Sequence, residues 1–327
     1  MSAAPTSTPA CGASPGGSTW PRCPTWSRSP ARGSATTPPE LLARCTFPEA
    51  GTPLHCAVSG GADSLALLVL AVAAGCEVTA HHVDHGLRPG SAAEAGVVAA
   101  AAERFGARFQ GHVVAPGPGP NLEARARAAR RAVLPAGTAT GHTADDQAET
   151  ILLNLLRGAG LDGLAGMRPG PSKPILALRR AETRALCASA GLEPVDDPSN
   201  GDPAHRRNRV RHEVLPLLDA VAGRDVAAVL ARQAGVLRDE ADLLDELAAA
   251  VDPADGRALA ALPPPLARRA VRRLLAGEHP PDTASVERVL DVARHQAAAC
   301  QVGGGRTVRR TAGRLRIEGG TGGGAGA

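Results

Sequence analysis

Residues 54–70 read LHCAVSGGADSLALLVL: one apolar run halts at Ser-Gly-Gly-Ala-Asp-Ser, and a second resumes at once. The first run is short and strand-like, whereas the second has helical spacing. A glycine-rich turn that leaves a strand and opens a helix presents unpaired N–H groups at the positive end of a helix dipole, which is an anion site. The glycines at 60 and 61 let the backbone approach a ligand closely, and Ser59 and Ser64 add hydroxyl donors. No lysine follows the glycines as in Walker A, and the pattern is not the dinucleotide G-x-G-x-x-G. Taken alone, the six residues read equally well as a tight turn in which Asp63 caps the helix.

The pattern continues outward from this stretch. LHCAV, EVTAHHV, ARFQGHVV and GTATGH are strand-like, and Ala/Leu-rich segments with helical spacing lie between them near 63–74, 91–106, 121–134 and 144–157. Such alternation predicts an α/β fold, an open parallel sheet with helices on both faces. Near residue 219 the strands stop. Segments 219–250, 255–276 and 282–298 read as helices with proline-rich breaks, and QVGGGRTVRRTAGRLRIEG reads as a terminal hairpin. Residues 1–45 are a Ser/Pro/Thr/Gly/Ala-rich leader, read as disordered or as the result of an early start. The expected organisation is a leader (1–45), a catalytic α/β domain (46–218), a mainly helical domain (219–318) and a Gly-rich tail (319–327).

Composition excludes several classes. Aromatic residues make up 2% of the 327 residues, with no tyrosine, and Lys173 is the only lysine. Phosphate or nucleic-acid contacts must therefore rest on arginine, with few rings for base stacking. Net charge is a modest +4, but arginines cluster at 125–131, 205–211, 268–273 and 306–316. Each cluster reads as a basic patch or as a solvated helix face. The seven cysteines are scattered without C-x-x-C, so neither a disulfide framework nor a zinc or iron–sulfur site is expected. A reducing cytoplasm fits them. No run approaches the about 18 apolar residues of a membrane span.

Four further segments carry chemistry. HHVDHGLRPGSAAEA (81–95) puts Asp84 at the end of the second strand, the ligand edge of an open sheet. His82, Asp84 and His85 lack helix-face spacing for zinc, so a substrate-edge or structural role is expected. GHTADDQAETILLNLLRGAGLDGLAGM, from Gly141, gathers His142, Asp145, Asp146 and Glu149 at i,i+3 and i,i+4 spacing on one helix face. Acids at a helix start favour its dipole, yet three carboxylates and a histidine within eight residues suit Mg²⁺ or a cationic amine. Finally, Glu123, Arg127 and Arg130 stand at helical spacing, and DDPSNGDPAHRRNRVRHEVLPLL supplies Arg207, Asn208, Arg209 and Arg211.

SGGADS resembles the pyrophosphate loop of the ATP pyrophosphatases that cleave ATP to AMP and pyrophosphate. In their order and spacing, all the segments over about 54–218 resemble the tRNA(Ile)-lysidine synthetase family. The helical region and GGGRTVRRTAGRLRI match it more weakly. The sequence departs from the family's usual Arg-Tyr at Arg130-Arg131 and from Arg-Pro-Leu-Leu at 173–176. Its tail looks short beside members that carry a further C-terminal RNA-binding domain.

The resemblance implies an adenine nucleotide α-hydrolase-like fold and a two-step ligation. The wobble cytidine of tRNA(Ile) with a CAU anticodon is adenylated by ATP, and free L-lysine then displaces AMP to give lysidine. ATP (a cosubstrate) and Mg²⁺ are the implied cofactors. The implied partners are the tRNA and lysine, with no membrane and no obligatory protein partner, while a homo-oligomer remains open. The implied catalytic residues are Asp146, Arg127, Arg130 and Asp84. Ser59, Gly60, Gly61, Ala62, Asp63 and Ser64 would hold the phosphates, and His142, Asp145, Asp146 and Glu149 the lysine. Arg207, Arg209 and Arg211 would meet tRNA or phosphate. Asp145 is also the candidate Mg²⁺ ligand, and sequence does not separate its two roles.

Rival readings are a tRNA thiolase on the same loop, an amidotransferase-coupled synthetase, and a nucleotide-binding regulator that never cleaves ATP. Paired cysteines are missing for the first and a glutaminase-like nucleophile for the second. The acidic cluster weighs against the third.

Overall fold

The computed structural model describes residues 38–84, 86, 91–115, 117, 122–196, 201–277 and 281–319. Four parallel strands, β1 (Pro53–Ala57), β2 (Glu77–Asp84), β3 (Arg108–Val113) and β4 (Ala139–Thr140), form a sheet in the order β3-β2-β1-β4. Cys56 and Ala57 lie opposite Ala139 and Thr140 on one side of β1, and opposite Ala80 and His81 on the other. The chain therefore moves outward in one direction through β2 and β3, then crosses back to place β4 beside β1. That reversal opens a crevice at the carboxyl ends of β1 and β4, where ligands of open α/β sheets bind.

The helix α2 (Ala62–Ala73) follows β1 directly and is apolar almost all round, so it belongs inside. Leu65, Leu67, Leu68 and Leu70 are fully buried against Leu54, Cys56 and Val58 of the sheet. The helices α3 (Ser91–Phe105), α4 (Leu122–Val133) and α5 (Ala144–Leu156) complete the strand–helix alternation. Beyond α5 come α6 (Leu161–Leu164) and α7 (Arg180–Ser189), whose Leu186 and Cys187 join the same core. The leader expected to run to residue 45 needs correcting at its end. The helix α1 (Pro38–Leu42) buries Leu41 to 1% exposure in the main core, with Cys45 and Phe47 packed beside it. Residues 1–37 lie outside the described residues, as do 320–327 of the tail.

A short helix α8 (Arg206–Arg209) runs into one π-helical turn (Val210–Val214) and then α9 (Leu215–Ala222). The expected single helix over 219–250 breaks at Gly223, which takes φ +62°, and restarts as α10 (Val226–Ala249) behind an Asp225 cap. The segment 255–276 likewise divides at Pro263 into α11 (Gly256–Ala261) and α12 (Pro264–Leu274). The helix α13 (Thr283–Ala293) ends before a left-handed His295. A second core joins α11, α12 and α13 to Val302, Val308 and Leu315.

Those last three residues sit on β5 (Ala299–Val302), β6 (Arg306–Thr311) and β7 (Arg314–Glu318), an antiparallel three-stranded sheet rather than the expected hairpin. The stretch holds two turns, Gly303–Gly305 and Ala312–Gly313, and two turns make three strands. No helix among the described residues is long and apolar enough to cross a membrane.

Candidate active site

The loop between β1 and α2 is fixed by its own side chains. Ser64 Oγ accepts from the Ser59 amide at 3.1 Å, donates to Gly61 O at 2.9 Å and lies 3.2 Å from Ser59 Oγ. Gly60 adopts φ +86°, a conformation that glycine reaches without strain. Its carbonyl accepts from Val195 N at 3.0 Å, and a Cβ there would sit 3.4 Å from the Val195 side chain. Gly61 is the N-cap of α2 and its carbonyl accepts from the Ser64 amide at 3.1 Å, which leaves the Ala62 and Asp63 amides as the first-turn donors at the positive end of the helix. Asp63 does not cap the helix. Its carboxylate accepts from Thr183 Oγ1 and, at 3.3 Å, from Arg180 Nε, both on α7. Burial pushes the Asp63 carboxyl above its ordinary value, against the pull of Thr183 and Arg180.

On the other side of the crevice, Gly141 carries the chain from β4 past the start of α2. A Cβ at Gly141 would lie 2.7 Å from Asp63 O, so only glycine permits the approach. Thr143 then starts α5 through a capping box, its amide and hydroxyl each donating to Asp146 Oδ2 at 2.9 Å. The other oxygen of Asp146 is thereby turned toward three arginines. Arg180 Nη2 stands 3.1 Å from Oδ1, Arg207 Nη2 3.4 Å and Arg211 Nη2 3.7 Å. Glu149, one turn on, is wholly buried, at 0% exposure. Arg211 Nε donates to its Oε1 at 2.7 Å, Arg207 Nε to its Oε2 at 2.7 Å, and Arg180 Nη1 lies 3.3 Å from Oε1. Burying a carboxylate this deeply calls for such partners. Burial raises the Asp146 carboxyl, but Arg180, the Thr143 amide, Arg207 and His142 together bring it below its ordinary value.

The acidic group thus divides. Asp145 points away from Asp146 and Glu149. Its two oxygens accept from Arg179 Nε (3.1 Å), Arg179 Nη2 (2.9 Å) and the Arg180 amide (2.7 Å). Arg179 reaches on to Asp225, the cap of α10, so this pair ties α5, α7 and α10 together. His142 hydrogen-bonds Thr140 Oγ1 through Nδ1 at 2.7 Å. Burial holds its imidazole below the ordinary value; Asp146 pulls the other way, and Arg207, Lys173 and Arg130 add to the burial effect. Arg130 of α4 therefore lies within the field of the crevice, with Arg127 a turn before it on the same helix.

Of the expected tRNA contacts, Arg207 and Arg211 turn inward onto Glu149. Arg209 points outward, 60% exposed, and pairs with Glu213. Asp84 sits at the end of β2 and accepts from the Gly86 amide at 2.8 Å, capping the turn that leaves the strand. His82 is buried, with Nδ1 3.0 Å from Val58 O, and His85 lies outside the described residues. Among the described residues no set of three His, Cys, Asp or Glu side chains is arranged to hold a metal.

Arg179, Arg180 and Thr183 are the residues that sequence reasoning missed. Their segment, RRAET, follows an irregular stretch and offers one local sign, the capping box in which Glu182 accepts from the Arg179 amide at 2.8 Å. The stronger sign was charge: buried carboxylates on α2 and α5 demand buried cations from elsewhere in the chain.

Residues 40–218 match the family model described as a PP-loop domain, and residues 257–316 the one described as a TilS substrate binding domain. The chain is 46% identical over 245 residues to the tRNA(Ile)-lysidine synthase of Nocardia farcinica (70% of this chain, 77% of that one). It is 45% identical over 250 residues to that of Leifsonia xyli subsp. xyli (68% and 75%). It is 42% identical over 287 residues to that of Rhodococcus opacus (80% and 88%). Among solved structures, a U34-tRNA thiolase from Methanococcus maripaludis shares the fold. The TM-score is 0.50 at 16% identity, over 62% of this chain and 78% of that one.

Proposed function

The chain belongs to the tRNA(Ile)-lysidine synthase family, ligases of tRNA modification, and from that premise we propose how its crevice performs the ligation. ATP lies with its phosphates on the 59–64 loop. The 2-oxygen of the wobble cytidine in tRNA(Ile) with a CAU anticodon attacks the α-phosphorus, and pyrophosphate leaves. The ε-amine of free L-lysine then attacks carbon 2 of the adenylated base, the bond from that carbon to the 2-oxygen breaks, and AMP carries the oxygen away. The lysidine so formed turns the anticodon from reading AUG to reading AUA and changes the tRNA's identity from methionine to isoleucine.

One observation carries this reading. Arg180 touches Asp63 of the phosphate loop and both Asp146 and Glu149. The anion site and the anionic pair are therefore separated by the width of a single guanidinium. A nucleotide on one side and an ammonium on the other meet within reach of one base. The ammonium of lysine binds Asp146 and Glu149 by displacing part of the guanidinium contacts they now hold, and the Ala62 and Asp63 amides at the start of α2 take the phosphates. His142, kept neutral by its surroundings, accepts the proton that the amine must lose before attack. Arg127 and Arg130 face the transferred phosphate as positioned cations, and Asp84 borders the crevice at the end of β2.

Asp145 stands apart from Asp146 and Glu149, its two oxygens accepting from Arg179 and the Arg180 amide. Its role is to position α7. Among the described residues nothing favours a sulfur relay: burial pushes the thiols of Cys56 and Cys187 up to about 12 and about 11.

The test is pyrophosphate release from ATP with unmodified tRNA(Ile) and lysine each present or absent. The expected result is release that requires the tRNA, followed by lysine incorporation equal to the AMP formed. Release without tRNA, or incorporation of sulfur or ammonia, would overturn the reading.

A further inference from the structure

The arginine run at 205–211 has two faces, and only the inner one belongs to the crevice. Arg207 and Arg211 turn in to Glu149, while Arg206 and Arg209 turn out. Helical spacing sorts the arginines in this way, and Val210 between them stays buried against Ala148 and Leu152 of α5. On the outside, Arg206 and Arg209 meet Arg157, at the end of α5, around a cleft of about 290 Å³ floored by Leu153, Leu156 and Val210. Leu156 is 75% exposed. Among the described residues, neither Arg157 nor Arg206 pairs with a carboxylate, and Arg209 has only its exposed neighbour Glu213, a pairing worth little in water.

We propose that this outer face is a docking surface for the single-stranded anticodon loop of the tRNA substrate. The proposal rests on the function given above and extends it to the nucleotides beside the wobble base. Charge complementarity selects the occupant: three outward arginines suit phosphates, for which the guanidinium fork is shaped. The apolar floor suits the faces of unstacked bases, which proteins otherwise meet with aromatic rings or arginine planes. This chain has almost no aromatic residues, so leucine and arginine take that part. Position agrees, because Glu149 and Leu156 stand on one face of α5, seven residues or about 10 Å apart along the helix. A loop lying across the cleft can thus send its wobble base into the crevice.

The experiment compares the full chain with Arg157→Ala/Arg206→Ala, and separately with Leu156→Ser, by measuring affinity for unmodified tRNA(Ile) transcript, its isolated anticodon stem-loop and a loop-free RNA duplex over a salt series. The double variant should bind the transcript and stem-loop about 10-fold more weakly. Its slope of log affinity against log salt should be shallower by about 1.4 to 1.8, at roughly 0.7 to 0.9 per phosphate contact. Leu156→Ser should weaken binding with the slope kept, and ATP binding and thermal midpoint should not move. An unchanged affinity and slope would overturn the proposal, as would an equal loss on the duplex. So would a change in self-association or acidic-protein binding with RNA affinity intact. Wild-type lysine incorporation is measured alongside: its absence, with RNA binding still sensitive to the double variant, sinks the function and spares the surface.

Discussion

Arg180 stands between the phosphate loop and the acidic pair, and its guanidinium fork contacts three carboxylates at 3.1 to 3.4 Å. Charge-assisted contacts of this kind contribute about 1.5–3 kcal/mol. Arg180→Ala should therefore lower kcat/KM for lysine by about 100-fold in steady-state incorporation assays. Arg180→Lys should recover only part of this, since an ammonium cannot span the same oxygens. A variant with wild-type kcat/KM would remove Arg180 from the account.

A second prediction concerns acid. His81 is buried in a chain of three imidazoles, its Nε2 2.9 Å from His55 Nδ1 and its Nδ1 3.0 Å from His112 Nε2. Burial, then His55 and His112, hold it below the ordinary histidine value, and burial does the same to His142. The unfolded chain accepts protons at these positions near pH 6.5 that the folded chain declines, so stability is lost as pH falls below about 6.5. Urea midpoints should drop from pH 7.5 to 5.5, and less so in His81→Asn. A midpoint that rises on acidification would contradict this.

At the scale of elements, what was legible is what repeats locally. The β1–loop–α2 unit, the parallel alternation and the start of α5 are all visible in hydrophobic period and glycine placement, because each is fixed by neighbours in sequence. The helix α7 was not, since its importance comes from contacts 117 and 31 residues back, to Asp63 and Glu149. Helical spacing puts Arg207 and Arg211 on one face and Arg209 on another, but which face turns inward was hidden, because Glu149, which takes it, lies 58 and 62 residues back. The helix α1 was masked by the low-complexity stretch before it. Its single buried leucine makes a clean test: Leu41→Ala should cost about 2–5 kcal/mol, read as a lower denaturation midpoint. A cost near zero would mean that α1 only rests on the core.

Over the whole molecule, a few buried polar links join the catalytic sheet to the C-terminal helices. Gln147, between Asp146 and Glu149 on α5, exchanges hydrogen bonds with Met167, and Arg238 of α10 donates to the same Met167 carbonyl at 2.8 Å. Arg269 of α12, nearly buried, bridges Asp245 of α10 and Asp162 of α6, the latter at 2.7 Å. Removing that guanidinium unlinks two half-exposed carboxylates on either side of the junction. Arg269→Leu should split a single calorimetric transition into two, and one unchanged transition would show that the apolar contacts suffice. The central claim, however, is chemical: Asp146 holds the lysine while the loop holds the nucleotide. It is tested most directly by Asp146→Asn with ATP, unmodified tRNA(Ile) and radiolabelled lysine, following pyrophosphate and label together. The account predicts tRNA-dependent pyrophosphate release with lysine incorporation reduced at least 100-fold, a loss of about 2.7 kcal/mol. Incorporation at the wild-type rate would contradict it.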